Sequence, residues 1–109
     1  MNADECSVRA ALGVIGGKWK PVIARYLMLS PRRFGELRKL MPEATQKMLT
    51  QQLRELEGDG IVLRKVFQQV PPKVEYSLTR YGQTLGPVLE ALCKWGKKHH
   101  QKTKSRKVG

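Results

Sequence analysis

No stretch of the chain approaches the ~20 consecutive apolar residues needed to span a bilayer, and its start, MNADECS, is acidic with no apolar segment behind a positive end. Neither a membrane span nor a secretory leader is expected, so the sequence reads as a soluble, cytoplasmic protein away from membranes. Cysteine is scarce: Cys6 and Cys93 lie far apart and match no metal-ligand spacing, which argues against a disulfide scaffold or a zinc site. His99 and His100 sit side by side in a polar stretch with no nearby Cys or acid, and successive helical residues point in different directions, so no metal is assigned to them. Acids are few and scattered, with no Ser, His and Asp grouping and no glycine-rich phosphate loop. That absence argues against an enzyme and implies no cofactor. Aromatic residues make up 6% of the chain. Most lie on apolar helical faces, which disfavours a stacking platform for single-stranded RNA.

What the chain has in excess is positive charge. Twenty-one Lys and Arg against nine Asp and Glu give a formal +12 over 109 residues, and seven of the basic residues, with no acid, follow from Lys94 onward. A polyanionic partner is the leading physical expectation. With 40% hydrophobic residues there is enough to build one small core. Residues 1–98 read as a single domain and 99–109 as a basic, flexible tail, which either touches flanking DNA through charge or serves as a solubilising end.

Along the domain the apolar spacing predicts four helices and then a hairpin. The first runs from about Ser7 to Ile15, with Val8, Ala11, Leu12 and Ile15 on one face, and stops at Gly16 and Gly17. Pro21 suits the first turn of a second, which buries Ile23, Leu27 and Tyr26 and lasts until Ser30 and Pro31. A short third helix spans about Arg33 to Leu40, with Phe34, Leu37 and Leu40 inward, and ends before Pro42. In the fourth, Thr45 is an N-cap candidate, and Leu49, Leu53 and Leu56 repeat at helical spacing.

At about 100° per residue, the positions opposite that stripe are Lys47, Gln51 and Arg54, flanked by Gln46 and Thr50. Arg and Lys donate to guanine in the major groove, Gln bridges adenine, and Thr meets a base edge or a thymine methyl. The same face is equally what an ordinary solvated helix displays, so the helix alone does not decide between the two readings.

After Asp59 and Gly60, the segment IVLRKVFQQVPPKVEYSLT alternates apolar and polar residues, predicting strands over about Ile61 to Gln68 and Lys73 to Leu78 joined by a loop holding Pro71 and Pro72. Two short helices followed by a hairpin predict a winged helix-turn-helix, mainly α with a β-hairpin. Arg64, Lys65 and Lys73 on the hairpin, Arg32 and Arg33 at the start of the third helix, and Thr45 are candidates for phosphate contacts. As surface charges, the hairpin residues would instead discourage edge-to-edge aggregation.

A fifth helix is expected from a cap near Thr79, with Leu85, Val88, Leu89, Leu92 and Trp95 on one broad face. That face and the first helix exceed what so small a core covers. The terminal helices are therefore expected to pair with those of a second copy, through Val8, Leu12, Leu85, Leu89, Leu92 and Trp95. Packing within one chain is the alternative. A twofold dimer would present two reading helices to half-sites about one DNA turn apart.

The blocks ALGVIGGKWK, PRRFGELRKLMPEATQKMLTQQLRELEGDGIV and PPKVEYSLTRYGQTLGPVLEALCKWG resemble the HxlR family of bacterial winged-helix regulators over about residues 6 to 96. The resemblance implies homodimers, a helix-turn-helix formed by the third and fourth helices, a reading helix from Thr45 to Glu57, a wing, and control of nearby genes. Many members also have a cysteine just before the first helix, and some sense oxidants or electrophiles with it; Cys6 occupies that place. A helix N-terminus favours a thiolate, whereas Asp4 and Glu5 add like charge and Ser7 stands where the family often has proline. Cys93 reads as packing, Trp19 and Trp95 as core or interface, and Met28, Met41 and Met48 as gap fillers rather than the lining of a small-molecule pocket.

The expected function is a sequence-specific double-stranded DNA-binding regulator acting as a homodimer, possessing in Cys6 a candidate redox or electrophile sensor. A basic architectural protein that coats DNA with little sequence preference is the alternative; it would need the charge but not the amides.

Overall fold

Gly16 and Gly17 close the first helix, the amide of Gly16 reaching back to the carbonyl of Leu12 at 2.7 Å while Gly17 adopts φ +89°, a conformation open chiefly to glycine. In the computed structural model, which describes the backbone of residues 3–108 and the side chains of 6–104, the order is α1 (Ala3–Ile15), α2 (Lys20–Leu29), β1 (Arg32–Arg33), α3 (Phe34–Leu40), α4 (Gln46–Gly58), β2 (Val62–Phe67), β3 (Lys73–Leu78) and α5 (Gly86–Val108). A short 3-10 turn, Gly82–Leu85, precedes α5. The strands form one antiparallel sheet in the order β1-β3-β2, with Arg32 and Arg64 both paired to Tyr76 from opposite sides. The fold is the expected winged helix-turn-helix: α3 and α4 joined by a tight turn, then the β2-β3 wing.

One core holds it. Ile23 and Leu27 of α2, Leu37 of α3, Leu49, Leu53 and Leu56 of α4, and Ile61, Val62, Tyr76 and Leu78 of the wing meet in a single buried cluster, closed by Met41 and Ala44 of the turn. Fully burying side chains of this size contributes roughly 1.5 to 3 kcal/mol each, so the stripe of α4 is fixed inward and its opposite face outward. Thr79 fastens the wing to the end of α4: its hydroxyl oxygen lies 2.5 Å from the Gly60 carbonyl, to which it donates, and accepts from the amide of Gly82 at 2.8 Å. A Cβ on Gly82 would collide with the carbonyl oxygen of Ile61, which is why that close approach needs glycine.

Several expectations are corrected. The first helix begins earlier, at Ala3, so Cys6 lies within α1 rather than ahead of it. Leu40, the last residue of α3, is 38% exposed and stands at the edge of the core rather than inside it. Arg32 and Arg33 form strand β1, not the first turn of α3. Thr79 accepts from the amide of Gly82, the first residue of the 3-10 turn, and α5 starts seven residues after Thr79, at Gly86. Leu89 is buried and Leu85 half-buried against their own chain's core, so these two are not free for a partner. The segment from His99 on, expected as a flexible tail, continues α5 as helix to Val108. Of the two tryptophans, Trp19 packs on the core, while Trp95 is exposed and stacks on His99 with ring centroids 5.1 Å apart. Among the described residues no helix is long and apolar enough to cross a membrane.

Candidate nucleic-acid interface

Thr45 starts α4 with extended backbone, and its hydroxyl oxygen accepts from the amide of Met48 at 3.1 Å, satisfying one of the orphan donors of the first turn. That hydroxyl keeps its own proton, so Thr45 remains able to donate to a phosphate. The turn before it is short: Ala44 tucks under the core and its amide reaches Met41 at 3.0 Å, which sets α4 across the end of α3.

With Leu49, Leu53 and Leu56 at 0%, 1% and 0% exposure, the outer face of α4 is determined. Gln46, Lys47, Thr50, Gln51 and Arg54 line one hollow on that face. All five candidate base-reading residues are thus brought together. Two arrive with partners. Gln46 accepts at Oε1 from Nη1 of Arg38 on α3 at 3.4 Å, and Gln51 donates from Nε2 to Oε2 of Glu55 at 3.1 Å. The other oxygen of Glu55 accepts from Nζ of Lys20 at 2.9 Å. These contacts hold the Glu55 carboxyl below the usual carboxylate range, the Lys20 hydrogen bond most, then that from Gln51, then the Lys20 charge.

The phosphate candidates divide into two groups. Arg64 faces α4 and shares a cleft with Thr50, Arg54, Glu57 and Tyr76. Arg32 lies across the sheet on the other side of Tyr76, with its Nε buried and lacking a partner. Lys65 and Lys73 occupy the opposite face of the wing, both 4.8 Å from the ring of Phe67, and Lys73 also pairs with Glu75 at 3.5 Å. Arg33 is exposed and spends its backbone amide on Oε1 of Glu36 at 2.9 Å. Arg54 belongs to both the hollow and the cleft, so it links the helix to the wing.

Sequence reasoning missed Arg38, Lys20 and Glu55. For Lys20 a signal existed: Lys20, Ala24 and Leu27 recur at i, i+4 and i+7, which puts the lysine on the buried face of α2, where an ammonium needs a partner. It is 8% exposed, and Glu55 is that partner. Cys6 is exposed and Cys93 half-buried. The side chains of Asp4 and Glu5, expected to weigh on Cys6, lie outside the described residues. Among the described residues no group of three His, Cys, Asp or Glu is placed to hold a metal. Met41 is buried in the turn, Met28 packs against the core and Met48 is exposed on α4.

Comparison with known proteins places the chain among helix-turn-helix regulators. Residues 14–104 match the family model described as HxlR-like helix-turn-helix. The HTH-type transcriptional regulator YtcD of Bacillus subtilis is 59% identical over 93 residues, which are 85% of this chain and 74% of that protein. A crystal structure of an HTH-type regulator of the same name superposes with a TM-score of 0.84 at 53% identity, covering 93% of this chain and 99% of that one. The redox regulator HypR in its oxidized form superposes with a TM-score of 0.83 at 53% identity, covering 85% and 96%.

Proposed function

The chain belongs to the HxlR-like helix-turn-helix family, and from that premise we propose that it recognises a specific double-stranded DNA site as a homodimer, with α4 of each protomer in the major groove. It is a helix-turn-helix transcriptional regulator and not an enzyme. The observation that carries the finer reading is the face of α4: the leucine stripe is fully buried, and the residues left outside are two amides, a hydroxyl and two cations in one hollow. A coat of DNA needs only the cations, because phosphate attraction is indifferent to sequence; amides supply paired donors and acceptors that distinguish base edges. Arg64, Arg32, Arg33, Lys65, Lys73 and Thr45 then hold phosphates and set the register.

The dimer is supported by apolar side chains left in water on the terminal helices: Val8 at 59%, Leu12 at 60%, Leu92 at 51% and Trp95 at 65% exposure. Such a stripe marks an interaction surface. Cys6 is proposed as an oxidant- or electrophile-sensing thiol. Its exposure in the early turns of α1, and a likeness at 53% identity to a protein named as a redox regulator, support that reading. The place of action is the cytoplasm.

The test compares a DNA site selected by the protein with scrambled DNA at several salt concentrations. Gln51→Ala is expected to weaken binding to the selected site by about 1 to 3 kcal/mol and to leave scrambled DNA unaffected. Arg64→Ala should weaken both alike and lower the salt slope by about 1. An equal loss on both duplexes for Gln51→Ala would remove it from base reading.

A further inference from the structure

Gln51 does not present a freely turning amide. Its neighbour Glu55, one helical turn on, is ionised and so only accepts hydrogen bonds, which compels Gln51 to turn its NH₂ toward Glu55 and its carbonyl oxygen away. The chemistry of the pair assigns the two ends of the amide, which their shapes alone would not. Glu55 is itself anchored. Nζ of Lys20, buried on α2, takes the first carboxylate oxygen and leaves the second for Gln51. An ammonium is a donor only, so the order along Lys20, Glu55 and Gln51 runs donor, double acceptor, donor, and no member can be reversed.

We propose that Lys20 and Glu55 are positioning residues that preset the hydrogen-bond polarity of Gln51, so that α4 selects adenine where Gln51 meets the DNA. This rests on the reading of α4 as the base-reading helix. With its carbonyl oxygen turned away from Glu55 and one amide hydrogen still unused, Gln51 offers an acceptor beside a donor. Adenine answers both, giving N6–H to the carbonyl and N7 to the amide, whereas guanine shows two acceptors, O6 and N7, and leaves the carbonyl facing another oxygen. Burying Lys20 is then part of specificity rather than only of the core. The chain of bonds also links α2 to the reading face, so a residue outside the helix-turn-helix takes part in selecting the base.

Replacing Glu55 by glutamine gives a result that loss of folding would not. Lys20 would hold the carbonyl of the new side chain, whose NH₂ then faces position 51. Gln51 must answer by turning its own carbonyl inward, which sends its NH₂ toward the groove. Glu55→Gln is therefore expected to shift the preference at that base pair from adenine toward guanine, while binding to random DNA holds or rises because a negative charge has left the interface. Glu55→Ala supplies neither donor nor acceptor and should let adenine and guanine bind about equally. Glu55 is itself exposed, and Glu55→Gln still gives buried Lys20 an acceptor. Glu55→Ala takes that acceptor away, so its folding is checked by thermal unfolding and its base preference is compared only with the folded protein.

The experiment selects bound duplexes from a random library with the wild type, Gln51→Ala, Glu55→Gln and Glu55→Ala, and compares base frequencies position by position. Gln51→Ala should relax one position per half-site, an adenine in the wild type, and the Glu55 variants should change that same position by at least about fivefold in the adenine-to-guanine ratio. A guanine there in the wild type, or an unaltered adenine preference in both Glu55 variants, would overturn the positioning role while leaving base reading by α4 in place. A wild-type motif that Gln51→Ala does not relax anywhere would overturn it too, and would pass the reading to other side chains of α4. No motif at all would remove both the positioning role and the sequence-specific reading.

Discussion

Gln46 and Gln51 are the two amides on the outer face of α4, and each has one end already committed: Gln46 accepts from Arg38, Gln51 donates to Glu55. An ordered side chain loses less rotamer freedom when it meets a base, which favours discrimination over a loose polar contact. Cys6 is the other residue on which a functional claim rests. It lies in the fourth described position of α1, at the edge of the turn over which a helix terminus favours an anionic thiolate. Cys6→Ser should leave DNA affinity under reducing conditions unchanged and abolish any change that an oxidant or an electrophile produces. An identical response in Cys6→Ser would exclude it as the sensor and turn attention to Cys93, half-buried on α5 in a groove shared with Tyr26 of α2 and with Leu89 and Leu92.

Among the elements, α4 is the one whose start matters most, because everything on its outer face is registered from Thr45. Thr45→Ala removes the acceptor of the Met48 amide and should cost about 1 kcal/mol of stability in urea unfolding. No change in the unfolding midpoint would mean that water caps the helix equally well. This helix and the wing were legible in the sequence for a physical reason: a polar N-cap, three leucines at helical spacing, and alternating strands around two prolines each leave a periodic mark. Strand β1 leaves none, since two residues between helices carry no alternation, and its pairing with Glu75 and Tyr76 is a tertiary event. The start of α5 differs from the expectation because Thr79 has the chemistry of a cap, but its hydroxyl holds the Gly82 amide, where the 3-10 turn comes up against Ile61. At the candidate site, side-chain types and spacing placed the five outward residues of α4 on one face. Spacing along one helix says nothing of Lys20 reaching Glu55 across 35 residues, and that contact needed the packing of α2 on α4.

At the scale of the molecule, two features remain once the core is closed: a formal charge of +12 and apolar side chains in water on α1 and α5. The first draws the chain to DNA of any sequence; the second calls for a partner of like surface, and a twofold copy satisfies it with no further component. In the proposed dimer they would set two reading helices about one DNA turn apart, which is how a module this small would reach useful specificity. The central claim, a dimer that reads bases through α4, is tested most directly by selecting duplexes from a random library and measuring affinity for the enriched and a scrambled duplex at near-physiological salt. The account predicts a twofold-symmetric motif bound about 10³-fold or more tightly than the scrambled duplex. Equal, steeply salt-dependent binding to every duplex, with no enriched motif, would contradict it and make the outer face of α4 a phosphate-tracking surface.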